Sequence, residues 1–330
     1  MELLGLIVII AVALAFDFVN GMHDAANSIA TVVATRVLRP RQAVVWAAFF
    51  NFVAAFGFGV EVASTIGKGV VDPAVVNEQV ILAALAGAIV WDMLTWYWGL
   101  PSSSSHALIG GLVGAALAEA GRHAVIAAGV RKVAVFIVVS PLLGFIIGAL
   151  VSLLVRVVFR GANPAVAGTT FRRLQLLSAA LYSLGHGTND AQKTMGIIAV
   201  LLFSTGHLGD TFYVPIWVIL AAHAAIALGT LTGGWRIVHT MGTKLTKLEP
   251  YGGFSAEVAA AASLLYASRA GIPVSTTHTI SGAIAGVGST RRFSAVRWNV
   301  AGQIVWAWVL TIPASALLAA LARIALRSLG

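Results

Sequence analysis

Asn20-Gly21-Met22-His23-Asp24-Ala25-Ala26-Asn27-Ser28 returns, altered, as His186-Gly187-Thr188-Asn189-Asp190-Ala191-Gln192-Lys193-Thr194. Both stretches set amide, imidazole and carboxylate groups among Ala, Val, Ile and Leu. A second pair accompanies the first. Gly99-Leu100-Pro101-Ser102-Ser103-Ser104-Ser105-His106 aligns with Gly271-Ile272-Pro273-Val274-Ser275-Thr276-Thr277-His278, and both run on through glycines, at 110 and 114 and at 282 and 286. Order is kept, and spacing nearly so. Two ordered matches in one chain describe an internal duplication.

The solvent for this duplication follows from composition. Of 330 residues, 59% are hydrophobic and 10% charged, with a mean hydropathy of +0.92. A soluble domain carries about 25% charged residues. Apolar runs near the spanning length recur along the chain, so the class is a polytopic all-α membrane protein. The first run, MELLGLIVIIAVALAF, lacks a basic leader and a small-residue cleavage site, and reads as a first span. Net charge is +9. The positives cluster in short loops, at Arg36, Arg39 and Arg41, at Arg160, Arg172 and Arg173, and at Arg291, Arg292 and Arg297. That is the pattern of cytoplasmic loops, not of nucleic-acid binding. The absence of cysteine excludes disulfides, thiolate metal sites and cysteine catalysis.

Several apolar segments, at 107–118, 174–185, 195–203 and 279–288, are too short to cross alone and predict half-helices or re-entrant pieces. Irregular backbone at membrane depth persists only where it is buried or lines a cavity. The polar stretch 160–173 divides the chain into a first repeat at 1–159, a basic cytoplasmic linker, and a second repeat at 174–330. The first motif runs into the basic loop Arg36–Arg41, whereas the second follows the basic stretch Arg156–Arg173. With both on the inside, the repeats are inverted, and such repeats place their sites where they meet, near the midplane.

The motifs predict a chemistry. Asp17, Asn20, Asp24 and Asn27 fall near one helix face. Polar groups that are costly in lipid face the protein interior and mark a pathway. Carboxylate and amide oxygens suit a cation or a proton relay, while an amide NH2 donates to an anion. The second motif places Pro in the first helical turn, with hydroxyls at a helix start. Free N–H groups, hydroxyls and the positive end of the macrodipole make an anion site there. A plain N-cap needs one hydroxyl, not a run of them. Two such starts surround a tetrahedral oxyanion, held by Ser103, Ser104, Ser105, Ser275, Thr276 and Thr277 with Asn20, Asn27, Asn189 and Gln192 nearby. His106 and His278 support the hydroxyls, and the glycines allow close helix packing. Asp92, within WDMLTWYW, fits an interfacial position.

At these motifs the chain resembles the inorganic phosphate transporter (PiT) family, which carries a Gly-x-Asn-Asp-type and a Gly-x-Pro-x-Ser-x-Thr-His-type motif twice, in this order. The resemblance covers roughly residues 12–320. It implies phosphate transport coupled to sodium or protons, inverted repeats, a homodimer in the cell membrane and no cofactor. By the same resemblance, Asp24 and Asp190 match the essential motif aspartates, which bind the coupling cation, a proton or a metal. His186 and Glu257 match further functional residues, and Ser103 and Ser275 match hydroxyls linked to phosphate. Departures are specific: Asn51 stands where animal sodium-coupled members have Glu, Met22-His23-Asp24 replaces Ala-Asn-Asp, and Lys193 replaces an Asn. Together with Gln192 these look like the bacterial low-affinity, proton-coupled branch, thought to carry a neutral metal–phosphate complex. A buried ammonium at Lys193 would fill the place of a sodium ion and, with a pKa lowered by burial, load and unload a proton.

The expectation is a phosphate symporter working by alternating access, coupled to protons. The alternatives within the family are sodium coupling and sulfate as substrate. Protonated phosphate donates to a carboxylate that would repel sulfate, which favours phosphate. Half-helices also build channels. A Ser/His/Asp hydrolase is the reading from another class. It needs one activated nucleophile, whereas here the set is doubled and Ser102–His106 contains no Gly-x-Ser-x-Gly elbow.

Overall fold

The structure is a computed structural model that describes residues 3–57 and 59–329. Met1, Glu2, Phe58 and Gly330, which the sequence reading included in the first span and the two repeats, lie outside the described residues. Among the described residues, twelve α-helices run in chain order: α1 (Leu3–Ala34), α2 (Pro40–Val53), α3 (Glu61–Gly69), α4 (Glu78–Trp98), α5 (Ser104–Ala120), α6 (Ala127–Val158), α7 (Pro164–Ser204), α8 (Ile216–Thr232), α9 (Trp235–His239), α10 (Pro250–Arg269), α11 (Thr276–Ser289) and α12 (Trp298–Leu329). Apart from one isolated bridge, Val71–Val125, the described residues form no sheet.

Helices α1, α4, α6 and α12 are long and apolar enough to cross a membrane. At 1.5 Å per residue, the 32 residues of α6 span roughly 48 Å, against a hydrocarbon core near 30 Å. α6 and α12 also carry the outward-facing apolar side chains, among them Leu142, Ile146, Leu150, Trp306, Leu317 and Leu321. Such exposure fits lipid as solvent.

Two expectations change. Segments 174–185 and 195–203 are not separate re-entrant pieces: both belong to the continuous 41-residue α7. Its middle is polar by sequence but buried by protein, and hydrogen bonds inside the helix satisfy the backbone without help from apolar side chains. Of the stretch 160–173, only Arg160–Asn163 lies outside a helix. Asn163 Oδ1 accepts from Ala165 N at 2.9 Å, and Pro164 occupies the first position of α7. The expected short helices at 107–118 and 279–288 are present as α5 and α11. A further broken helix appears at Gly233-Gly234, where the path bends by 65° between α8 and α9.

Equivalent pieces pack crosswise. α5 lies on α12 and α11 on α6, each through glycines. A Cβ at Gly114 would stand 2.0 Å from the Ala316 carbonyl oxygen, and one at Gly286 2.1 Å from that of Phe145. Gly21 in α1 meets the Ile226 carbonyl of α8, and Gly187 in α7 meets that of Asn51 in α2. α1 is therefore held by the broken helix of the second half, and α7 by α2 of the first.

The basic loops gather at one end. Arg172 donates to the Arg36 carbonyl at 2.9 Å, Arg156 to that of Thr290 at 2.8 Å, and Arg291 to that of Lys247 at 3.4 Å. At this end Thr240 Oγ1 also donates to the Gly99 carbonyl, at 2.9 Å, in the turn between α4 and α5. The turn between α10 and α11 lies against α3 instead, with Thr65 Oγ1 donating to the Gly271 carbonyl at 2.8 Å. Gly99 and Gly271 both take positive φ, 67° and 61°, which a Cβ would strain.

Candidate functional site

Both turns have the same construction. After the glycine comes an extended X-Pro segment, then a cap: Ser103 Oγ accepts from His106 N at 3.3 Å and Ser275 Oγ from His278 N at 3.2 Å. Pro101 and Pro273 thus precede the caps by two residues and do not occupy the first helical turn. An X-Pro bond favours extended backbone, which carries the chain straight into the cap. Ser103 and Ser275 are spent on capping. The next two residues of each helix, Ser104 and Ser105 in α5 and Thr276 and Thr277 in α11, are buried, and Ser105, Thr276 and Thr277 reach side chains of the motif helices. Their backbone N–H groups belong to the first turn, where no helical carbonyl reaches them.

These starts converge on one set of charges. Lys193 donates to Asp190, to Ser105 Oγ and, at 3.2 Å, to the Val274 carbonyl. Thr276 Oγ1 donates to Asp190 Oδ2 at 3.0 Å and lies 3.5 Å from Asp24 Oδ2. Thr277 Oγ1 is 3.5 Å from Asp24 Oδ1, and Asn27 Nδ2 donates to Thr277 Oγ1 at 2.8 Å. Asp24, Asp190 and Lys193 are 2%, 0% and 2% exposed, so the centre is closed on every side. Behind the hydroxyls the His106 and His278 rings meet at 4.8 Å, and His278 stacks on Trp308 at 3.9 Å, beside the site.

Each motif aspartate has a histidine. His23 Nδ1 is 2.7 Å from Asp24 Oδ1, and its Nε2 is 3.1 Å from Thr95 Oγ1 and 3.2 Å from Ser102 Oγ. His186 Nε2 is 3.2 Å from Asp190 Oδ2, while its Nδ1 is 3.2 Å from Asn51 Oδ1. Asn51 Nδ2 donates to Thr230 Oγ1 at 2.9 Å, and that hydroxyl in turn donates to the Ile226 carbonyl. Asn51 therefore presents its oxygen to Nδ1–H, and Nε2 is left facing the aspartates. Asp24, His186 and Asp190 offer ligand atoms within 4.8 Å of one another, a set able to hold a metal ion, with Asn51 orienting the histidine.

Other expected residues fall elsewhere. Gln192 Oε1 accepts from Val62 N at 2.8 Å and so caps α3. Asn189 Nδ2 donates to Ser268 Oγ at 3.1 Å, tying α7 to α10 on the α3 side of the centre. Glu257 sits toward the basic end, accepting from Ser178 Oγ and, at 3.1 Å, from Gln175 Nε2. Asn20 lies on the same face of α1 as Asp24 but points to Asp17, at 3.5 Å. Asp92 is fully buried and not interfacial. Its tryptophan-rich neighbours suggested a membrane boundary, yet α4 turns Asp92 inward. Thr95, Gln175, Ser178 and Tyr182 escaped the sequence reading. The last three carried a signal, since polar groups at 175, 178 and 182 recur at helical spacing inside an apolar segment.

A closed polar centre inside a lipid-facing helical bundle defines a membrane transporter. The model described as the phosphate transporter family matches residues 20–319, and the chain belongs to that family. It is 63% identical over 316 residues to a "probable low-affinity inorganic phosphate transporter" of Rhizobium meliloti (strain 1021), covering 96% of this chain and 95% of the relative. A Bacillus subtilis (strain 168) protein of the same description is 46% identical over 318 residues, covering 96% and 95%. Among solved structures, one described as "The sodium-dependent phosphate transporter" superposes with a TM-score of 0.88 at 27% identity, covering 98% of this chain and 99% of that one. The family and these relatives are transporters, which removes the hydrolase reading.

Proposed function

We propose that this phosphate transporter imports inorganic phosphate across the cell membrane by alternating access through two inverted repeats, coupled to protons. The observation that carries this reading is the meeting of two hairpins from opposite ends of the molecule. The α4–α5 turn touches the basic end and the α10–α11 turn touches α3, yet Ser105 and the Val274 carbonyl share one ammonium.

Phosphate is held between the starts of α5 and α11 by Ser104, Ser105, Thr276 and Thr277, their N–H groups and Lys193. The two aspartates accept from the protonated oxygens of phosphate, which sulfate lacks at neutral pH. Bringing an anion beside two buried carboxylates requires compensating positive charge, because burial weakens screening. Lys193 supplies one positive charge, held against Asp190 and Ser105. The remainder arrives as protons, or as a metal ion carried with phosphate on Asp24, His186 and Asp190. Two closures isolate the site. Glu257 with Gln175 and Ser178 joins α7 to α10 on the inner side, and Asn189 with Ser268 joins the same helices on the outer side. Parting one while the other holds gives alternate access.

The test is radiolabelled phosphate uptake into proteoliposomes under separate sodium, proton and magnesium gradients, with Asp190→Asn as control. Uptake driven by an inward proton gradient without sodium, and lost in the variant, is expected. Uptake that demands sodium and ignores pH would overturn proton coupling, and no uptake under any gradient would overturn phosphate transport.

A further inference from the structure

Asp17 has no part in the site described above, although it lies on the same helix face as Asn20 and Asp24. It is 0% exposed, and its Oδ2 has no hydrogen-bond partner. Asn20 turns its amide NH2 toward Asp17 Oδ1, leaving its own Oδ1 enclosed and unpaired as well. From α7, the Thr194 hydroxyl faces the Asp17 carboxylate without closing a hydrogen bond of normal geometry. Two helices, one from each half, therefore set a hydroxyl against a carboxylate away from water and lipid, with the unpaired amide oxygen of Asn20 one turn along the same helix face. Buried polar atoms without partners are few in native proteins, and each demands an occupant or a role.

The duplication does not account for this cluster. Ser183 holds the position in α7 that matches Asp17, and Ser28 matches Thr194, so the second half has no such carboxylate. We propose that Asp17 Oδ2, Asn20 Oδ1 and Thr194 Oγ1 bind one small monovalent cation of the sodium class, as a site separate from the Lys193–Asp190 and His23–Asp24 pairs. All three atoms are hard oxygens, which suits such an ion. The set carries a single negative charge, which a monovalent ion neutralises. A divalent ion would leave one positive charge buried without a partner in the set. Bound there, the ion joins α1 to α7 beside the transport centre. The site stands whether transport is coupled to protons or to sodium.

The test is thermal unfolding of the purified full-length protein followed by tryptophan fluorescence. Sodium or lithium chloride replaces N-methylglucamine chloride at constant ionic strength, with potassium as the size control. Saturable stabilisation by the smaller ions is expected in the wild type. In Asp17→Asn the half-saturating concentration should rise at least about tenfold, as when a charged ligand becomes neutral. Thr194→Val, which keeps the side-chain shape, should also weaken the response and serves if Asp17→Asn does not fold. A wild type indifferent to these ions, holding only water or a proton there, overturns the proposal. So does a full response in both variants, which would put the ion elsewhere. Phosphate uptake by the same preparation is read in parallel, so failure of the transport reading would appear there and not in the sodium titration.

Discussion

Replacing Lys193 by Met tests the charge arrangement at the centre. The ammonium is 2% exposed and bonds Asp190, Ser105 and the Val274 carbonyl. Without it, Asp190 keeps Thr276 Oγ1 at 3.0 Å and His186 Nε2 at 3.2 Å. Removing one member of a buried ion pair costs about 3–5 kcal/mol. The one remaining donor, the Thr276 hydroxyl, offsets part of this, leaving about 2–4 kcal/mol by the same measure. At roughly 2 °C per kcal/mol for a chain of this size, the melting temperature should fall by roughly 4–8 °C. The assay is scanning fluorimetry of the detergent-purified protein on its nine tryptophans. Asp190→Asn strands the ammonium from the other side and should cost a similar amount. The double variant removes both charges and should be more stable than the summed single losses by at least about 1 kcal/mol. Effects that add to within about 0.5 kcal/mol would show that the two residues do not act as a pair.

Further outcomes follow from the packing, the caps and the site. Gly114→Ala and Gly286→Ala should abolish recovery of folded protein, because their Cβ atoms would sit about 2 Å from backbone carbonyl oxygens. Gly168→Ala, where nothing lies within 4 Å, should instead gain about 0.5–1 kcal/mol of stability in the same solubility and melting assay. Ser103→Ala and Ser275→Ala should each cost about 1 kcal/mol in stability as lost caps. Ser105→Ala and Thr277→Val should chiefly raise the phosphate concentration for half-maximal uptake. Gln192→Ala should destabilise by about 1–2 kcal/mol through the uncapped start of α3, and protease nicking near residue 60 reports this directly.

The all-helical class, the bundle's solvent and the short helices α5 and α11 could be read from the duplicated motifs and the charge count. Those signals are local: an apolar run, a glycine before X-Pro, a row of hydroxyls. So were the residues that meet at the centre, Asp24, Asn27, Asp190, Lys193, Ser105, Thr276 and Thr277. What could not be read is set by partners distant in the chain. Gln192 looks like an anion donor in its motif, but α3 lies beside it and takes its oxygen. Glu257 and Asn189 have the right chemistry but stand at the two ends of the α7–α10 contact, not at the centre. The unity of α7 was hidden because hydropathy treats residues 186–194 as too polar for a span, whereas protein, not lipid, surrounds them. Asp92 was misplaced for the opposite reason, as its aromatic neighbours mimic an interface.

The placement of phosphate can be seen directly by diffraction from crystals grown with arsenate, a tetrahedral analogue with its own anomalous signal. One peak within hydrogen-bonding distance of Ser105 and Thr277, between the starts of α5 and α11, is the predicted result. A peak only among the surface arginines of the basic end, with none beside Lys193, would contradict it.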